Sequence, residues 1–261
     1  MIKKALYAIL YTMIPIGLLV VLGFAEGRNR HTVCRELQVS VHAYNENYFI
    51  RPEQIRSLIY ARIDSLEGRV IEPALLEDLY TLVRSVPFVE KANVYRTISG
   101  EVHVEISQRN PLVRVINTQN QSYYIDGNGV IFPLAEEHTA RVMIATGALA
   151  QELVPGKNVL QLHDTITSDL QKMADLFRLA SIIDKDVFWK AFIDHIYVTP
   201  SGKFELTPKN GAHIIELGYL NDIDVKLRNL RIFYLNSLTQ VGWNYYRRIN
   251  MEFKNQIVCS K

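Results

Sequence analysis

The residues of this chain that could do chemistry are seven histidines, two cysteines and a few clustered carboxylates. The histidines (His31, His42, His103, His138, His163, His195 and His213) are scattered. No two have the His-x-x-x-His spacing that sets two imidazoles on one helix face for zinc. No Gly-x-Ser-x-Gly elbow presents a serine nucleophile, and no Gly-x-x-x-x-Gly-Lys loop cradles phosphates. Glu77-Asp78 and Glu136-Glu137 are neighbours in sequence and read as solvated faces. His42 and His103 fall on expected strands of one sheet, where surface or satisfied strand histidines explain them better than a ligand pair. Asp126-Gly127-Asn128 offers oxygens to a cation. A calcium loop, however, needs alternating ligands and a distant bidentate Glu, and Gly127 and Gly129 supply none. No catalytic residue, cofactor site or metal ligand is assigned, and the chain is expected not to be an enzyme.

Composition narrows the classes further. A net charge of +2 without a sustained basic cluster lacks the electrostatic footprint of nucleic-acid binding. Hydrophobic residues make up 48% of the chain, enough for real cores. Cys34 and Cys259 lie near opposite ends. A bridge needs Cα atoms within about 7 Å, nothing local brings these two together, and both are expected to be unpaired.

The start of the chain sets its location. Lys3 and Lys4 precede an uncharged run from Ala5 to Ala25. At about 1.5 Å per residue, roughly 20 apolar residues cross a bilayer core. Residues 5–25 are therefore expected to be an uncleaved transmembrane helix, and residues 1–4 a short cytoplasmic tail. Lysines before the run favour a cytoplasmic N-terminus, although Arg28, Arg30 and Arg35 beyond it weakly oppose that orientation. The competing reading is a secretory signal, with small residues at Gly23-Phe24-Ala25; ordinary signal cores are shorter, about 7–15 residues. Pro15 and Gly17 predict a kink that a lipid helix tolerates.

The body beyond it has about 230 residues, enough for two ordinary domains, and divides near Asn110-Pro111. Alternation of Leu37, Val39, Val41 and Ala43 predicts a half-buried strand. Arg51-Pro52 opens a helix with Ile55, Leu58, Ile59 and Ile63 on one face. Pro73 opens a second, with Leu75, Leu76, Leu79, Leu82 and Val83, which Pro87 ends. Val89–Arg96 and Glu101–Ser107 then read as a hairpin around Ile98-Ser99-Gly100. The order is β-α-α-β-β, with both helices on one face of a small sheet.

That order, with SVPFVEKANVYRTISGEVHVEISQRNPLVRV over Ser85–Val115, resembles a POTRA domain, and more narrowly that of the FtsQ/DivIB cell-division family. Val89, Ala92, Val94 and Arg96 match the family's V-x-x-A-x-V-x-R strand, and Arg109-Asn110-Pro111 its Arg-x-Pro link. Tyr123–Phe132 resembles the hairpin that opens the family's β-domain. Downstream, Ser168–Ile183 is an expected helix with Leu170, Met173, Ala174, Phe177 and Ile182 in its stripe. Three short strands follow, at Ile193–Val198, Lys203–Thr207 and His213–Leu217. A helix with Ile223, Leu227, Leu230 and Phe233, carrying Lys226 in K-L-x-x-L, and a closing β segment from Arg248 to Val258 again resemble the family.

The expected fold is therefore α+β: a transmembrane helix, a POTRA domain over residues 35–110, and a mixed β-domain with flanking helices over 111–258. The resemblance implies a divisome scaffold at the division septum, its body outside the cytoplasmic membrane, binding FtsB and FtsL. Strand addition at the terminal strand is the expected mode, through Ile249, Met251, Phe253, Lys254 and Gln256. Ile249, Met251 and Phe253 are expected on one face, Asn250, Glu252 and Lys254 on the other. The alternative function is a POTRA-bearing adaptor in outer-membrane protein assembly or secretion. That class should show further POTRA repeats or a barrel of alternating strands, and neither appears in the sequence.

Overall fold

The computed structural model describes residues 13–17, 32–43, 48–152, 154–161, 168–254 and 256–261. Residues 13–17 are helical. The rest of the expected anchor lies outside the described residues, and among those described no helix is long and apolar enough to cross a membrane. His31, His163 and Asn255 are outside them too. The chain divides into two compact units, Met1–Gln108 and Arg109–Lys261.

Unit 1 is built as β1 (Glu36–His42), α1 (Pro52–Arg62), α2 (Pro73–Arg84), β2 (Val89–Arg96) and β3 (Glu101–Gln108). Its three strands stand in the order β1-β3-β2, with β1 parallel and β2 antiparallel to β3. Proline occupies the first turn of each helix, where its missing N–H costs nothing. The Gln54 side chain accepts the Arg51 N–H at 2.8 Å and closes the start of α1. Strict alternation in β3 buries Val102, Val104 and Ile106 against Ile55, Ile59, Leu79 and Val83. Leu58, expected in that core, is only half-buried; Ile55 and Ile59, one turn apart, hold the inward line of α1 instead. Gln108 is buried, and its Oε1 accepts the N–H groups of Phe49 and Ile50 at 2.8 and 3.0 Å, fixing the approach to α1.

Unit 2 is a nine-stranded mixed sheet with helices packed on it. The strands are β4 (Pro111–Ile116), β5 (Ser122–Asp126), β6 (Ile131–Pro133), β7 (Met143–Gly147), β8 (Ile193–Val198), β9 (Phe204–Pro208), β10 (Ile214–Gly218), β11 (Arg248–Asn250) and β12 (Val258–Ser260). Their order is β12-β11-β10-β9-β8-β7-β4-β5-β6. Pairings β4–β7, β7–β8 and β10–β11 are parallel, which requires crossovers. Helices α3 (Ser168–Lys185) and α4 (Val187–Phe192) lie between β7 and β8, and α5 (Ile223–Phe233) with a π-helical turn at Tyr234–Leu238 lies between β10 and β11.

The buried line of α3 is Met173, Leu176, Leu179, Ala180 and Ile183. Of the expected stripe only Met173 is fully buried; Ala174, Phe177 and Ile182 flank it half-buried. At α4, Asp186 caps the helix by accepting the Phe188 and Trp189 N–H groups at 2.9 and 3.2 Å. The Arg231 guanidinium holds that carboxylate at 2.5 and 2.6 Å and lies 4.8 Å over the Phe188 ring. Trp189, Phe192 and Tyr234 form the aromatic centre of the core.

Candidate functional site

A sheet ends in two strands whose outer main-chain groups must be covered, blunted or offered to a partner. In unit 2 the β6 edge is covered. The Ile131 N–H donates to the Lys157 carbonyl at 2.8 Å, the Gly156 N–H donates to the Ile131 carbonyl at 2.9 Å, and Pro133 has no donor to offer. At the other end, β12 pairs antiparallel with β11 and with no other strand among the described residues. Val258, Cys259 and Ser260 carry neither charge nor proline, the usual guards of an edge.

The side chains around this edge are held by their neighbours. Ile249, on β11 between Ile215 and Cys259, is fully buried, and Met251 is 3% exposed. On the polar face Glu216 accepts from Arg248 and, at 2.6 Å, from Asn250. Lys203 pairs with Glu252 at 2.7 Å, and that carboxylate raises its pKa. Lys226 of α5 donates to the Leu217 and Tyr219 carbonyls at 2.9 and 2.7 Å, tying helix to sheet; partial burial lowers its pKa. Arg247 and Lys261 line a shallow depression with Ile214, Tyr246 and Ser260, and the Lys261 ammonium lies 4.2 Å from the Tyr245 ring centre. Burial pushes the Cys259 thiol above its ordinary pKa, so it is a poor nucleophile at neutral pH.

Two family models match the chain: "FtsQ/DivIB, C-terminal related" over residues 110–260, and "POTRA-like domain" over residues 32–107. No curated protein matches it. The chain belongs to the FtsQ/DivIB family. Membership gives it a role in cell division and confirms the mixed α/β pair of domains that the motifs implied.

The FtsQ/DivIB motifs acquire physical roles. Arg109 of the Arg-x-Pro link donates to Asp126 Oδ2 at 2.7 Å, and Asp126 Oδ1 accepts the Asn128 and Val130 N–H groups at 2.9 and 2.8 Å. The Asp126 turn is thus an ion-paired Asx turn, with its carboxylate committed to protein donors. His42 and His103 are not neighbours: His42 faces Ser107 across the ladder, and His103 stacks on Tyr95 at 5.1 Å. Both acid pairs, Glu77-Asp78 and Glu136-Glu137, are exposed.

The expected partner-binding residues divide into two groups. Ile249 and Met251 are core. Phe253 (53% exposed), Lys254 and Gln256 stand in the turn between β11 and β12. The strand stops at Asn250 because the Asn250 side chain accepts the Glu252 N–H at 2.8 Å, a local bond that competes with the ladder. Val258–Ser260, the edge itself, was not singled out from sequence. Val-Cys-Ser is too short for alternation to register.

Proposed function

We propose that this protein is a non-enzymatic scaffold of the divisome that receives an extended segment of FtsB, with FtsL, along its carboxy-terminal edge. In this reading residues 5–25 anchor it in the cytoplasmic membrane. Residues 1–4 lie inside, the folded body lies outside at the division septum, and unit 1 serves recruitment. The observation that carries the reading is the asymmetry of the nine-stranded sheet: β6 is covered, whereas β12 is short, uncharged and unpaired on its outer side among the described residues. Main-chain hydrogen bonds along such an edge supply affinity, and nearby side chains supply specificity. Phe253, Lys254 and Gln256 contact the partner from the turn, while Ile249 and Met251 hold β11 in place beneath it.

Neighbouring residues of a strand turn their main-chain groups to opposite sides, so of Val258 and Cys259 one N–H faces β11 and the other faces outward. Val258→Pro and Cys259→Pro therefore separate folding from docking. One variant should retain its melting temperature and lose binding of an FtsB-derived peptide titrated against the full chain in detergent; the other should lose stability. Undiminished peptide binding by both, with circular dichroism showing both folded, moves the partner site off this edge. A fluorescent fusion in dividing cells tests the location, with a mid-cell band expected.

A further inference from the structure

The β2–β3 hairpin turn displays an isoleucine where a turn requires none. The Gly100 N–H donates to the Thr97 carbonyl at 3.1 Å, the Thr97 N–H donates to the Glu101 carbonyl at 2.9 Å, and the Thr97 hydroxyl accepts the Glu101 N–H at 3.1 Å. These bonds fix the turn without any contribution from the Ile98 side chain, which is 94% exposed. Turn positions favour Gly, Pro, Asn, Asp and Ser, each for a backbone reason, and an apolar body satisfies none of them.

Two further exposed apolar residues share this end of unit 1. Val33 and Val70 face each other across an isolated bridge, and the Cys34 N–H donates to the Arg69 carbonyl at 2.8 Å. The hairpin turn is stitched to the same segment. The Gly100 carbonyl accepts the Arg35 N–H at 2.8 Å, and a Cβ on Gly100, at φ +92°, would stand 2.5 Å from the Val33 carbonyl oxygen and 3.5 Å from Thr32 Cγ2. The turn therefore lies against Thr32. Residues 26–31 join Thr32 to the apolar run Ala5–Ala25, and the link from Ala25 to Thr32 spans at most about 25 Å when fully extended. Arg28 and Arg30 fall within that link, and Arg35 and Arg69 are exposed beside the valines. Of the carboxylates at this end, Glu67 accepts from Tyr60 at 2.5 Å and Glu101 lies 3.4 Å from His103, while Glu36 and Glu72 are exposed.

We infer that this end of unit 1 rests on the anionic lipid surface of the bilayer that holds residues 5–25. Ile98 reaches the headgroup boundary, and Arg35 and Arg69 lie against lipid phosphates. The inference rests on residues 5–25 being the anchor. Apolar tips and cations reinforce each other at an anionic interface, and such a contact would fix the attitude of unit 1 to the membrane instead of leaving it on a free tether.

The test uses the full chain carrying Cys259→Ser, reconstituted in vesicles of phosphatidylethanolamine with phosphatidylglycerol. An environment-sensitive fluorophore is attached at Ile98→Cys or, as the control, at Glu53→Cys. Glu53 is exposed in the first turn of α1, and α1 begins next to Gln108, at the far end of β3 from Gly100. That end is about 25 Å away at roughly 3.3 Å per residue. Buried Cys34 stays unlabelled, and the parent without an added cysteine gives the background. The label at 98 should shift to the blue and be quenched by a doxyl-labelled lipid, while the label at 53 is not. Phosphatidylcholine vesicles, or Arg35→Glu with Arg69→Glu, should reduce that quenching while the protein still floats with the vesicles. Floating protein whose label at 98 is quenched no more than at 53 overturns the lipid contact and leaves the anchor standing. Undiminished quenching in phosphatidylcholine overturns the anionic component. Protein that fails to float overturns the anchor and this inference with it.

Discussion

Asp126 illustrates what a single residue contributes here. Both carboxylate oxygens are used, one by Arg109 and one by two backbone amides, at a site where the Asp126 side chain is 2% exposed. Removing one partner of a buried ion pair typically costs about 3–5 kcal/mol, because the other charge is left desolvated. Asp126→Ala should lower stability by about that much in denaturant titrations, and Asp126→Asn by less, since its amide oxygen still accepts the two N–H groups. The turn was legible in the sequence; its ion pair was not, because spacing along the chain does not reveal a contact between residues 17 apart. Two histidines, His213 buried and His195 half-buried, set a second expectation. Burial holds His195 and His213 below the ordinary imidazole pKa, opposed by Asp194 and by the Trp243 backbone respectively. Between the depressed folded value and the unfolded value of about 6.5, the unfolded chain binds more protons. Their stabilising contribution is thus complete above about pH 6.5 and is lost as pH falls through the folded values. The melting temperature should drop on acidification through that window, and His213→Gln should flatten the drop. A parent profile flat there would reject the burial argument.

At the scale of elements, legibility followed pattern length. The β-α-α-β-β order of unit 1 was readable because β3 alternates over eight residues and both helices open on proline. In unit 2 the strands β4 and β7 were missed. Pro111–Ile116 buries Leu112, Val113 and Val115 as a nearly continuous apolar run, and Met143–Gly147 is a five-residue segment inside the sheet; neither has a clear period of two. The last residue of β7 is also its most constrained. Gly147 has φ +106°, and a Cβ there would stand 2.1 Å from the Val198 carbonyl oxygen on the paired strand β8. Gly147→Ala should cost about 3 kcal/mol or more. Gly127→Ala, with open space around it, should change stability by less than about 0.5 kcal/mol. Similar denaturation midpoints for the two would contradict the steric account. In unit 1, Leu79→Ala should cost about 2–5 kcal/mol, and Leu58→Ala distinctly less, because Leu58 stands outside the buried core.

For the whole molecule, the arrangement of aromatic residues makes the two cores separately observable. Both tryptophans of the chain, Trp189 and Trp243, lie in unit 2, and Trp189 is 2% exposed among Phe192, Tyr234 and the α3 residues of that core. The core of unit 1 is a different set of side chains, led by Ile55, Ile59, Leu79 and Val104, with no tryptophan among them. Tryptophan emission therefore reports unit 2, while far-ultraviolet circular dichroism reports helices and strands of both. Leu79→Ala should advance part of the circular dichroism transition and leave the emission transition in place. Leu179→Ala, which opens a cavity beneath α3, should advance the emission transition. The same signal serves the docking reading, because a β12 variant that keeps the parental emission transition has an intact unit 2 and its binding defect belongs to the edge. If Leu79→Ala moves both transitions together, the two cores unfold as one cooperative body, and a recruitment defect from a unit 1 core variant can no longer be assigned to unit 1.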